Sequence, residues 1–361
     1  MRACFVVLDA SWSGAARAFA DAAGLLAGRG FETCVVAPAG TESERALRSA
    51  GHDVVAVGAG GGWLRAGWRL HRVIASRLTE VVFVHGDRAH LVAAAAIRLA
   101  GRGAVVRRTP AGESLVMGRD GRLAMRLAAT GFVFTHADDV RGMAPPRGAL
   151  AAHIVPPGVA AVAATPRPSA AVGAIRPDVP RLVLLAGADR RHETLVALRA
   201  LALLAPRLPA LRTTVFAPTG DIDALRLQTA ALGVADRVDW RGASAARSEA
   251  LSVAALAWVT AAADDAVFAM LDALVHGVPV LAERTPLTAR FVEDGVSGLL
   301  RHRADETEWA SVVANALART GQAEAMHAAA RAAAAHWPLD AGADGWLQAT
   351  KAARDRTRWT A

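Results

Sequence analysis

The sequence predicts an α/β chain of two doubly wound domains in tandem, and three observations carry that expectation. At 361 residues the chain exceeds what one hydrophobic core usually fills. Short β-rich runs alternate with Ala-rich stretches of helical periodicity, first from CFVVL to FVFTH and again from RLVLLAG to SGLL. Between the two series lies PPGVAAVAATPRPSAAVGAIRPDVP, proline-dense and without usable periodicity, which reads as an interdomain connection.

Taken in order, CFVVL is a strand, SWSGAARAFADAAGLLAGRG has apolar residues at helical spacing, and FETCVVAP is β-rich again: a β-α-β unit. DVVAVG, a helix near 63–78, VVFVHG, a helix near 89–101, AVVRR and FVFTH extend it. Strands that alternate with helices imply a parallel sheet covered on both faces. The second series runs RLVLLAG, the helix ETLVALRALALLAPRL, TTVFAP, the helix DIDALRLQTAALG, RVDWRG, a short helix near 246–254, LAWVTA, a helix containing Asp272, PVLAE and SGLL. Two such domains place a cleft between the carboxyl ends of their sheets, where ligands of these folds bind. The last 35 residues read as helices separated by Pro338 and a DAGADG break, with Trp337 and Trp346 as packed anchors.

Composition narrows the function. A hydrophobic fraction of 53% with 20% charged residues describes a core-forming chain. The formal charge of +8 comes almost wholly from arginine, Lys351 being the only lysine, and reads as a compositional bias; with no basic block or aromatic-basic motif, no nucleic-acid partner is expected. Cys4 and Cys34 sit inside apolar runs as small core residues, and no spacing for a structural zinc exists. The first apolar run is cut off by Asp9, too short for a signal peptide, and no 18 apolar residues run together. The expectation is a cytoplasmic protein.

Chemistry concentrates in DDAVFAMLDALVHGVPV, residues 264–280. LAWVTA ends a strand, AADD is a turn, and VFAMLDALVH makes about 2.5 helical turns before Gly277 stops it. Asp264 and Asp265 therefore fall at a helix N-terminus, where backbone N–H groups and the dipole favour negative charge. Simple N-capping is the competing use of either acid, and of Asp265 above all.

LAWVTAAADDAVFAMLDALVHGVPVLAE followed by RFVEDGVSGLL resembles the donor-site signature of the retaining glycosyltransferases of family 4, the glycosyl transferases group 1. LGVADRVDWRG and VPPGVAAVAATP resemble further segments of that family in order, and the Trp337 region resembles its closing helices. The resemblance implies the GT-B architecture of two Rossmann-like doubly wound domains facing across a cleft: residues 1–160 on the acceptor side, 161–336 on the donor side, and helices 337–361 crossing back. It implies transfer of a sugar from a nucleotide-sugar donor to an unknown carbohydrate, lipid or small-molecule acceptor with retention, with no cofactor and no metal. In the family's acid pair, Glu and Glu eight positions apart, this chain has Asp264 facing the donor sugar and Asp272 accepting from the ribose hydroxyls. Both Asp side chains are one methylene shorter than Glu.

Departures from the family pattern are equally specific. Where the family has glycines after the first acid, this chain has Asp265 and Val267. Where it has Arg and Lys after the first strand of the donor domain, Gly187 is followed by Ala188 and the Lys position is Glu193. The replacements at Asp265, Ala188 and Glu193 make the pocket more negative by one, one and two charge units, and each unit near 5 Å from a phosphate is worth roughly 3 kcal/mol at an effective dielectric of ~20. Arg190, Arg191 and Arg290 are the candidate compensating cations. In the first domain, Arg108 and Thr109 stand where the family commonly has a His, His85 matches a different family His, and Ser13-Gly14 stands at its glycine-rich turn. The candidate catalytic residues are thus Asp264, Arg108 and His85; the donor-binding ones are Asp272, Asp265, Gly14, Gly187, Arg190, Arg191 and Arg290.

The run GAGGG at 58–62 lacks the acid of a dinucleotide fingerprint and reads as a loop. WLRAGWRLHRVIASRL aligns Arg65, Arg69 and Arg72 beside Trp63, Leu64 and Trp68; a sheet-covering helix is the favoured reading, and peripheral contact with the inner membrane face the other. An inactive GT-B scaffold or partner subunit is the alternative to transfer, and a GT-B epimerase a third class.

Overall fold

The structure, a computed structural model, describes all residues except 59–61, 142, 145, 163–178, 188–189, 319 and 358–361. Most of the proline-dense connection, residues 59–61 of the GAGGG run and Ala188 lie outside the described residues. The chain divides into two units, Met1–Gly158 with Leu339–Ala361, and Val159–Pro338.

The first unit is a seven-stranded parallel sheet: β1 (Arg2–Val6), β2 (Glu32–Pro38), β3 (Val54–Val57), β4 (Val81–His85), β5 (Ala104–Arg108), β6 (Thr130–Phe134) and β7 (Ala152–Ile154), in the order β3-β2-β1-β4-β5-β6-β7. Its central strands β4, β5 and β6 are buried on both faces, which explains the apolar runs VVFV, AVV and FVF within them. One face, with Phe5, Val35, Phe83 and Val106, packs under Phe19, Leu26, Leu47 and the C-terminal Trp346. The other, with Cys4, Val6, Cys34, Val82, Val84 and Val105, packs under Leu70, Ile74, Val92, Ile97 and Ala124. Both cysteines are buried and reduced, and they are register neighbours on β1 and β2.

The second unit has six parallel strands: β8 (Arg181–Leu185), β9 (Arg212–Ala217), β10 (Val238–Gly242), β11 (Leu256–Val259), β12 (Val280–Glu283) and β13 (Gly298–Arg301), in the order β10-β9-β8-β11-β12-β13. Both orders reverse direction beside the first strand, between β1 and β4 and between β8 and β11. At such a switch point the loops leaving the two strands part and open a crevice at the carboxyl edge. The two doubly wound sheets expected from the sequence are therefore present.

Several elements were not read from the sequence, among them the helices Glu42–Ser49 and Glu306–Ala318. β7 has only three residues, AHI, and joins the sheet edge by pairing with β6. The nine-residue helix Arg119–Leu127 begins after Gly118 and contains Gly121, a composition that signals a loop. Both glycines sit against the Asp87 carboxylate: a Cβ at Gly118 would stand 2.8 Å from its Oδ2, and one at Gly121 2.5 Å from its Oδ1. Asp87 accepts the Gly118 backbone N–H and pairs with buried Arg107, so packing, not propensity, places this helix.

Candidate functional site

In the second unit the sequence-derived residues gather at the carboxyl edge. The helix Ala263–Val275 follows β11, and its N-cap is Ala262, with no side-chain capping bond. The AADD turn and the capping role are thereby corrected: Asp264 and Asp265 occupy the first helical turn, and the helix starts earlier than VFAM. Such a start is tolerated because the acids sit at the positive end of the dipole. Ala263 has φ +46, a left-handed conformation that costs a non-glycine residue roughly 1–2 kcal/mol. Asp264 is buried at 5% exposure. Gly277, φ +67, ends the helix as the sequence indicates.

Gly187 leaves β8 and lies directly against the loop after β11. A Cβ at Gly187 would meet Ala261 Cβ at 2.9 Å and Asp265 Oδ2 at 3.5 Å. Asp265 thus stands across the switch-point crevice from the Gly187 loop, where two sheet strands point their backbone ends. Thr194 and Thr260, both buried, join their hydroxyls at 3.0 Å across the same crevice and tie the first turn of the helix Arg191–Leu204 to the end of β11.

The compensating arginines are engaged. Arg190 pairs with Glu193 at 2.9 Å and lies 3.6 Å from Glu283 at the end of β12. Burial raises the Glu193 carboxyl, but its own backbone N–H and the Arg190 guanidinium outweigh this and hold it below the usual carboxylate range. Arg191 lies 4.0 Å from Asp221. Arg290 is half-buried at the end of a short turn, Thr288–Arg290, set by Thr285 and Thr288, each hydroxyl accepting the other's backbone N–H at 3.1 and 2.9 Å.

Asp272 faces Arg247, whose guanidinium donates to its Oδ2 at 2.8 Å and lies 5.9 Å from the Phe216 ring. The Asp272 side chain is 13% exposed, so this pair holds a carboxylate at fixed position near the ends of β9 and β10. Arg247 escaped the sequence reading. It lies 25 positions from Asp272 with no local spacing to flag it. Glu283, Thr194 and Thr260 escaped for the same reason.

In the first unit Gly14 opens the helix Gly14–Ala27, buried behind the N-cap Ser13. The Ser13 hydroxyl accepts from Ala16 N at 3.2 Å and donates to Asp9 at 3.0 Å, which commits it to the cap. His85 ends β4 and Arg108 ends β5 in adjacent register, so the two stand side by side on the carboxyl edge, beside buried Thr109. Gly14 and His85 flank the switch point between β1 and β4. Among the described residues no three His, Cys, Asp or Glu side chains converge as metal ligands, and no helix is long and apolar enough to cross a membrane.

Residues 180–319 match the family model described as Glycosyl transferases group 1. No curated protein matches the chain. Among solved structures, Anabaena HepE in complex with UDP-glucose superposes with a TM-score of 0.73 at 14% identity, over 97% of this chain and 99% of that one. The pneumococcal O-GlcNAc transferase GtfA, in complex with UDP and GlcNAc, gives 0.73 at 11%, over 97% and 98%. A Listeria monocytogenes protein provisionally assigned as a UDP-N-acetylglucosamine 2-epimerase gives 0.65 at 16%, over 100% and 98%. At these identities the likeness is one of fold. Residues 180–319, within the second unit, are thus similar to the glycosyl transferases group 1, and the chain shares the GT-B fold of these solved structures.

Proposed function

We propose that the chain is a glycosyltransferase that moves a sugar from a nucleotide-sugar donor to a carbohydrate, lipid or small-molecule acceptor, with retention and without a metal. The observation that supports it most is the placement of the acid pair. Asp264 lies buried in the first turn of the helix after β11, and Asp272, two turns on, is fixed by Arg247. That segment falls within the family match, and the helix N-terminus offers backbone N–H groups to an anionic donor. Asp272 supplies acceptor oxygens for ribose hydroxyls, Asp264 an acceptor for a sugar hydroxyl, and Arg290 and the Gly187 backbone serve the diphosphate. In the first unit, His85 and Arg108 stand together at the carboxyl edge of the sheet and are the residues proposed to act there. HepE and GtfA, whose structures hold UDP-glucose and UDP with GlcNAc, make uridine donors the first to test.

A thermal-shift screen of uridine, guanosine and adenosine diphosphate sugars tests the reading: at least one should raise Tm, and Asp272→Ala should abolish the rise. Product analysis by NMR then decides the chemistry. A transferred sugar of unchanged anomeric configuration, formed equally with chelator present, agrees; an epimerised free donor moves the chain to the epimerases. Silence across the whole donor panel leaves a non-catalytic scaffold.

A further inference from the structure

Three helices lie side by side on one face of the first unit's sheet, Gly86–Ala100 packing between Gly62–Ser76 and Arg119–Leu127. They make up about a ninth of the chain yet hold eight arginines, at 65, 69, 72, 88, 98, 119, 122 and 126, against two acids, Asp87 and Asp120. Six of the chain's eight net positive charges are therefore on this wall. All eight arginines are exposed, and among the described residues none of them forms an ion pair. Asp87 is already taken by buried Arg107. The loop before the third helix adds one acid, Glu113.

The opposite face of the same sheet is the control. Its helices Gly14–Ala27, Glu42–Ser49 and Ala343–Arg354 carry five basic residues and four acids, a net charge of one. A compositional bias toward arginine acts on both faces alike, so it does not account for the difference. The basic wall also carries outward apolar groups: Trp68 is 58% exposed, Leu99 68%, Leu123 46%, and Val116, just before the third helix, 76%. The Arg72 guanidinium lies 5.1 Å from the centre of the Trp68 ring. Guanidinium groups interleaved with exposed indole and aliphatic tips match a surface that presents anions above a hydrocarbon layer.

We propose that this wall docks the chain on an anionic lipid bilayer, with the arginines among the headgroup charges and Trp68, Leu99, Leu123 and Val116 in the interfacial zone. A nucleic-acid backbone would be served by the arginines alone and gives the aliphatic tips nothing to enter. The proposal does not depend on the transfer chemistry, because docking is read with no donor or acceptor present.

Sedimentation of the full chain with vesicles tests it. Binding is expected to phosphatidylcholine vesicles doped with phosphatidylglycerol, not to phosphatidylcholine alone, and to weaken as salt shortens the screening length. R65Q/R69Q/R72Q should lower the partition coefficient by about two orders of magnitude, at about fivefold per charge. R199Q/R207Q/R303Q removes the same charge from exposed positions of the second unit and should leave binding as it was. Trp68→Ser should weaken binding even at high salt. Equal losses in both triple variants, equal binding to undoped vesicles, or duplex DNA displacing the chain from doped vesicles would each overturn the proposal.

Discussion

Two residues run against what a diphosphate needs or what pH tolerates, the first in the described site and the second in the first unit's core, and each gives a measurable consequence. Asp265 lies on the first helical turn beside the Gly187 loop, where an anionic donor would meet its carboxylate at short range. Asp265→Gly removes that charge and the side chain together. Nucleoside diphosphate affinity should rise at least tenfold, since one unit charge at such range is worth up to roughly 3 kcal/mol before solvent screening; calorimetric titration reads it, and an unchanged Kd would place the diphosphate elsewhere. His90 is the second case. It is fully buried, with Nε2 2.9 Å from the Thr130 hydroxyl. Burial first, and then the Arg107 charge, pushes its pKa down to about 4 from 6.5. The folded chain thus holds His90 neutral while the unfolded chain protonates it near 6.5. Stability from this group is complete above that pH and is lost as pH falls from about 6.5 to about 4, by up to about 3 kcal/mol. Urea midpoints measured across that window should drop in the native chain and flatten in His90→Gln.

At the scale of elements, the site is held by contacts that no local pattern announces. The helix Arg191–Leu204 begins with Arg190, which makes no side-chain capping bond, and its first turn is secured instead by Thr194. The Thr194 hydroxyl donates to the Arg190 carbonyl at 3.1 Å and meets Thr260 at 3.0 Å. Thr194→Val should cost about 1–2 kcal/mol because it leaves a buried Thr260 hydroxyl without its partner, whereas Thr194→Val with Thr260→Val should recover most of the loss; additive costs in the double variant would mean the two threonines do not couple. Gly298 shows the opposite kind of legibility. It lies in RFVEDGVSGLL, which resembles its family closely, yet the cause is steric: a Cβ there would stand 2.2 Å from the Val280 carbonyl oxygen. A motif can thus mark strand packing as readily as chemistry. Most of the described strands fall where β-rich runs predicted them, since the central parallel strands, buried on two faces, are largely apolar. β7 and the helix Arg119–Leu127 did not, because their stability comes from an edge pairing and from the Asp87 clamp.

Across the whole molecule, the acid pair was readable from one stretch of sequence, while its counter-charges were not. Arg247 reaches Asp272, and Glu283 reaches Arg190, from separate elements, and only the folded sheet brings them together. The chain's end returns to its beginning: the helix Ala343–Arg354 seats Trp346 edge-on against Phe5, Phe19 and Phe83, with centroids 6.3, 6.4 and 5.4 Å away. That indole is 4% exposed and belongs to the first unit's core, although 180 residues of the second unit, Val159–Pro338, intervene in sequence. Trp346→Ala should therefore destabilise the first unit alone, by about 3–5 kcal/mol. A loss of that size lowers the melting point of a unit this large by roughly 10 °C. Scanning calorimetry should resolve it as one transition moved down and one, that of the second unit, left in place. A single transition shifted as a whole would show instead that the two units unfold together and share the stability of this aromatic cluster.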